Sequence, residues 1–172
     1  MLNSYAWYSV VVFLTSAIVM VLVISAGRLL APYLGVSLYT WTSIIGIVLS
    51  GLSLGSYLGG RWADAGATEK AAGLVIGLAG LYAIFSLWLL GLIAPYLQTS
   101  DMTLLSASFI YMLVLFFIPA TLLGVVMPLL TTLALHLDQR AGHVVGRMHA
   151  LGALGSILGT FLTGFWLVQA FG

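Results

Sequence analysis

Few side chains in this sequence are equipped for chemistry. There are five Lys and Arg, four Asp and Glu, three His and no cysteine. The lack of thiols excludes disulfides, thiolate nucleophiles and Cys-ligated metals. Asp64, Glu69, Asp101 and Asp138 all fall in polar connections or at their edges, and no two are spaced as an acid–base pair. No nucleophile–base pair and no phosphate-binding glycine loop is present. His136, His143 and His149 cluster, and two or three histidines can bind zinc or a haem iron. Their spacings of seven and six residues match no common ligand pattern, so interfacial histidines are the expectation. Asp138, Arg140 and Arg147 are placed to form a polar ion-pair cluster. Arg28 is the leading candidate. A guanidinium at the end of a long apolar run is costly unless it snorkels to a headgroup region or meets a ligand or partner. Ser25, Thr42 and Ser43 are the hydroxyls nearest to it in the expected arrangement, and with Arg28 they form the candidate ligand or partner site. Asn3, Thr15, Ser16, Ser50 and Ser53 add further polar groups, most of which are expected to bond back to helix carbonyls.

The elements that must position these groups are helices in a membrane. Hydrophobic residues make up 62% of the 172 and charged residues 5%, against roughly 25% charged in an average soluble domain. Mean hydropathy is +1.20. So little charge cannot cover a water-facing surface. The net charge of +1, without a basic patch, excludes nucleic acid as a partner. Five apolar segments are each long enough to cross a bilayer, which takes about 20 residues: residues 6–30, 38–60, 71–93, 103–135 and 144–171. Residues 1–8 carry no Lys or Arg, so the first segment reads as a retained helix rather than a signal peptide. Ala31–Gly35 reads as a turn, and Pro95 as the end of the third segment. The fourth, with Pro119 and Pro128, reads as one kinked helix. The expectation is an all-α integral membrane protein, one polytopic domain, with lipids around it. Arg61, Lys70, Arg140 and Arg147 fall on one side and Arg28 on the other, which predicts a cytoplasmic N-terminus and an outside C-terminus. A bacterial inner membrane is the expected location. Trp7, Tyr33, Tyr39, Trp41, Tyr96 and Trp166 lie where an interfacial aromatic belt belongs.

Glycines recur at helical spacing. Gly51, Gly55 and Gly59 lie in the second segment, Gly73, Gly77 and Gly80 in the third. The fifth carries Gly155, Gly159 and Thr163, and beside them Gly152, Ser156, Thr160 and Gly164. Small residues four apart let backbones approach closely in lipid, so these rows predict tight helix packing. Leu54-Gly55-Ser56-Tyr57-Leu58-Gly59 is echoed by Leu154-Gly155-Ser156-Ile157-Leu158-Gly159, three crossings later. Such spacing is that of an inverted 3+3 repeat, which would make the chain a six-helix half missing its last helix.

Gly60-Arg61-Trp62-Ala63-Asp64-Ala65-Gly66 resembles the loop motif of major facilitator transporters, in which the Asp caps a helix and pairs with basic residues. Here Ala65 stands where an Arg is usual, and Glu69-Lys70 replaces the basic pair. A longer resemblance covers nearly the whole chain. Gly27-Arg28-Leu29-Leu30-Ala31-Pro32-Tyr33-Leu34-Gly35, Ser37 to Gly46, Gly51 to Gly55, Gly59-Gly60-Arg61, Gly146 to Leu151 and Gly155 to Trp166 resemble the membrane domain of spermidine-synthase-like proteins. The resemblance implies a transporter-like half bundle, often joined in that family to a soluble aminopropyltransferase domain. The 172 residues contain no strand–helix alternation for such a domain, so the chain is expected to be non-catalytic and without a cofactor. Where the family's first helix carries a Glu before the Arg, this chain has Val23, which weakens direct polyamine transport. The expected role is a membrane module taking part in small-molecule, amine-like transport as a homo-oligomer or with a partner subunit. The alternatives are an accessory subunit of a larger membrane complex, or an anchor for a separate soluble aminopropyltransferase.

Overall fold

In the structure, a computed structural model, residues 2–98, 103–138 and 140–171 are described, with backbone alone at residues 2, 3, 96–98 and 171. Asp101 and the side chains of Asn3 and Tyr96 therefore lie outside the described residues. The described chain is helical, in the order α1 (Leu2–Leu34), α2 (Leu38–Asp64), α3 (Glu69–Gln98), α4 (Leu104–Leu137) and α5 (Ala141–Leu162). The last continues through a π-helical turn, Thr163–Leu167, into Val168–Phe171. All five are long and apolar enough to cross a membrane.

The helices outrun their expected bounds, for local reasons. α1 passes through Pro32 and ends at Leu34, because a proline in the last turn sacrifices only one donor. Gly35, at φ 69°, then breaks the helix, and the Ser37 side chain caps α2 by accepting from the Thr40 N–H at 3.2 Å. α3 likewise continues through Pro95. α4 is a single helix despite Pro119 and Pro128, and Thr103 caps it by accepting from the Ser106 N–H.

The expected transporter latch between α2 and α3 takes another form. Arg61 and Asp64 belong to the last turn of α2, so Asp64 closes that helix and does not cap α3. Gly66 adopts φ 87°, its N–H donating to the Ala63 carbonyl and the Ala67 N–H to the Trp62 carbonyl. This is a Schellman end, which needs a left-handed residue at that position. Arg61 turns back over the Tyr57 ring at 5.7 Å, and among the described residues Asp64 forms no ion pair. Glu69 supplies the actual tie. It accepts from the Tyr8 hydroxyl at 3.1 Å, pinning the start of α3 to the start of α1. Its charge also suits a helix N-terminus.

The glycine rows divide into two kinds. Gly51, Gly55 and Gly59 face α4: an added Cβ would meet Ala120 and Phe117 at the first, the Thr121 carbonyl at the second, and Val125 and Pro128 at the third. Gly155 and Gly159 face α1, where a Cβ would strike the carbonyls of Phe13 and Ala17, and Gly152 lies against Ser16. In both pairs the contacts advance together along the two helices, so α2 runs parallel to α4 and α5 parallel to α1. Tyr82 of α3 donates to the Val114 carbonyl of α4, and Tyr111 of α4 donates to the Ala94 carbonyl of α3, the sequence of antiparallel neighbours. Gly73, Gly77, Gly80 and Gly164 differ, with open space around each. The α3 row therefore faces outward, with open space around it inside this chain.

Inside, the described residues form three apolar clusters, around Tyr111, Met112 and Leu115 at one end, Val126, Leu129 and Met148 at the other, and Val19, Ala79 and Leu123 between. Buried polar side chains are hydroxyls only, namely Ser9, Thr15, Thr40, Ser43, Ser86, Ser108, Thr163 and two tyrosines, and no charged side chain is buried among the described residues. The outer surface is apolar, with Trp7, Leu81, Ile84 and Trp88 each at least 60% exposed.

Candidate functional site

Two features rise above packing. One is a repeated contact between helices, the other a lateral groove at Arg28.

The repeated contact begins with proline chemistry. Pro128 has no N–H, so the Gly124 carbonyl, four residues earlier, loses its helical donor. The Ser56 hydroxyl of α2 reaches that carbonyl at 3.4 Å. It can do so because Gly55 and Gly59 on either side, with Gly124 opposite, leave no Cβ between the backbones. At the second site the Ser156 hydroxyl donates to the Ser16 carbonyl, also at 3.4 Å, between Gly155 and Gly159. The Gly-Ser-x-x-Gly echo in the sequence is thus one structural device used twice, on α2 against α4 and on α5 against α1. Because α1 and α4, and α2 and α5, alternate in direction, each use is inverted relative to the other.

The groove lies between α1, α3 and the end of α5, with Phe116 of α4 as its floor. Its volume is ≈ 600 Å³. Ile18, Leu22, Leu29, Leu87, Leu167 and Val168 make it apolar, and Ser25, Ser86 and Thr163 place hydroxyls along it. Ser86 donates to the Ala83 carbonyl and Thr163 to the Gly159 carbonyl. Arg28 is exposed on the same face as Ser25, one turn further along α1. Among the described residues it forms no ion pair and no hydrogen bond. The π-helical turn at Thr163–Leu167 supplies part of one wall. Such turns recur at functional sites.

The predicted site residues therefore separate. Ser25 and Arg28 share the groove. Thr42 and Ser43 do not line it: Thr42 is exposed on α2 and Ser43 is buried there. The reason is angular. Gly27, next to Arg28 and about 100° around the helix, is the residue that faces α2: a Cβ added there would lie 3.1 Å from the Trp41 ring. Arg28 consequently points away from α2. Sequence reading missed Ser86, Phe116 and Leu167, and saw the buried Thr163 only as part of a packing row.

At the opposite end, Arg147 stacks on the Tyr5 ring at 4.9 Å and Arg140 pairs with Asp138 at 3.8 Å in an exposed contact. Arg147 does not join that pair. The three histidines are exposed, and no group of metal-ligating side chains occurs among the described residues. No protein-family model, curated protein or solved structure matches the chain.

Proposed function

We propose that the chain is a non-catalytic integral membrane module, a transporter-like half bundle that works paired with a second copy or a partner subunit in moving a small molecule. The observation that carries this reading is the inverted reuse of the Gly-Ser-x-x-Gly contact. Inverted repeats are a construction typical of secondary transporters, and the resemblance of Gly27–Gly35 and Gly155–Trp166 to the membrane domain of spermidine-synthase-like proteins points the same way. The dry interior argues for pairing. A single bundle with three apolar clusters and no buried charge among the described residues offers no polar path of its own, whereas two halves facing each other can enclose one. Arg61, Lys70, Arg140 and Arg147 gather at one end and Arg28 at the other, which favours an inside N-terminus.

The Arg28 groove bears on what the chain can bind. It carries a cation and no carboxylate among its lining residues, so it disfavours a free polyamine and suits a neutral or anionic guest. A second reading, an accessory subunit, is favoured by the outward Gly73, Gly77 and Gly80 of α3, which offer a smooth face for another helix.

Native mass spectrometry of the chain released from nanodiscs formed directly from its host membrane tests the pairing. Species above the 18.3 kDa of one chain, either a dimer or a complex with a second protein, are expected. A homogeneous monomer that also fails to move solute in liposomes would overturn the reading.

A further inference from the structure

We infer that the Arg28 groove is a specific site for one anionic phospholipid, with the phosphate on the guanidinium and an acyl chain laid along the groove toward the bilayer centre. The inference rests on the membrane placement proposed above and not on pairing, and it concerns a bound lipid rather than cargo.

Three observations lead to it. First, Arg28 is the one Lys or Arg at its end of the molecule, the other four lying at the far end. Asp101, in the α3–α4 connection at the same end, lies outside the described residues, and among those described Arg28 has no protein partner. A guanidinium offers five donors in a fixed fork suited to phosphate, and here none is taken by a described residue. Second, depth and direction fit a lipid. Arg28 lies six residues from the end of α1, about 9 Å along a helix. α1 is about 50 Å long at 1.5 Å per residue, well beyond the roughly 30 Å hydrocarbon layer, which places Arg28 at headgroup depth. From there the α1 lining runs inward to Ile18, about 15 Å, the scale of half a bilayer. Third, away from the cation the lining is largely apolar, because the hydroxyls of Ser86 and Thr163 are spent on their own helix carbonyls. Ser25 flanks the cation, while Ile18, Leu22, Leu87 and Phe116 line the apolar part. The groove opens sideways between α1, α3 and α5, the direction from which a lipid enters and a water-soluble anion does not.

Simple snorkelling of Arg28 would also bring it near phosphates, but it would hold no particular lipid through purification. Retention is therefore the readout. The full chain is placed in nanodiscs of mixed phosphatidylglycerol and phosphatidylcholine, released for native mass spectrometry, and the lipid adducts are counted. One retained phosphatidylglycerol per chain is expected, preferred over phosphatidylcholine by about tenfold, the scale of one charge-assisted contact. Arg28→Gln should abolish the preference, and Arg28→Lys should keep a good part of it. Leu22→Trp, which fills the groove while leaving the charge, should lower retention of both lipids. Size-exclusion profiles of the variants matching the unmodified chain identify them as folded. Equal retention of the two lipids by the unmodified chain, or an undiminished preference in Arg28→Gln, would overturn the inference. Displacement of the adduct by millimolar glycerol phosphate would also overturn it, by showing a site for a soluble anion. Failure here would leave the pairing result untouched.

Discussion

Gly55→Ala should cost the folded protein about 2–3 kcal/mol, the upper range for overpacking a tight interior, while Gly77→Ala should be neutral or stabilising by up to about 1 kcal/mol. The two changes add the same single methyl carbon to glycines of similar sequence setting. At Gly55 that carbon lands on the Thr121 carbonyl and beside the Gly124 Cα, both of them backbone atoms that cannot rotate away. The α2–α4 pair must then move apart along the line from Gly51 to Gly59, and the Ser56 hydroxyl is drawn off the Gly124 carbonyl that Pro128 leaves without a donor. At Gly77 the carbon enters open space. In an isolated helix Ala is favoured over Gly by up to about 1 kcal/mol, which makes the contrast sharper. Thermal unfolding in detergent, followed by the loss of the monodisperse peak, should show Gly55→Ala lower by about 6–10 °C for a chain of this size. Equal midpoints for the two variants would refute the assignment of the α2 row as the internal seam and the α3 row as an outer face.

Gly155→Ala should act differently, by loosening α5 rather than the whole bundle. Its Cβ would strike the Phe13 carbonyl, a clash comparable to that at Gly55, also worth about 2–3 kcal/mol. Yet α5 is held chiefly through α1, whereas α4 is gripped by both α2 and α3. Regions with fewer partners open separately from the rest. Amide hydrogen exchange should therefore accelerate across residues 141–162 and leave 38–64 and 104–137 close to unchanged. Because Thr163, Leu167 and Val168 wall the Arg28 groove, lipid retention should fall with it. Acceleration spread evenly over all helices would contradict this division.

Much of this architecture was legible from residue types. Five long apolar runs without a buried charge leave little else than five helices, and the Gly-Ser-x-x-Gly echo pointed to the two contacts that organise the bundle. Legibility stopped where angle mattered. A glycine row says that a face is smooth, not that anything covers it, so Gly77 and Gly55 read alike although one is bare and one is sealed. Arg28 was visible as an unpaired cation, but its company was not. One residue of rotation puts Gly27 against Trp41, and with it the hydroxyls of Thr42 and Ser43 fall outside the groove while Ser86 and Thr163, distant in sequence, enter it. The π-helical turn had no sequence mark, since neither Pro nor a break in apolarity accompanies Thr163–Leu167. Gly66 was legible as a turn, and Ala65 in place of the usual Arg left a latch and a plain solvated turn equally open; the motif's acid lies at the end of α2, where the helix carbonyls repel it, and the backbone bonds of Gly66 and Ala67 secure the turn.

The central claim is that α2 and α5 cross the membrane in opposite directions as the two uses of one inverted contact. The chain has no cysteine, so each introduced cysteine is a sole thiol. Single variants Val36→Cys, Thr68→Cys and Gly142→Cys, in the connections before α2, after α2 and at the start of α5, can be probed in intact host cells with a membrane-impermeant maleimide. Labelling of position 36 with protection of 68 and 142, reversed in inside-out vesicles, is the predicted result; labelling of 36 and 68 from the same side would contradict the account.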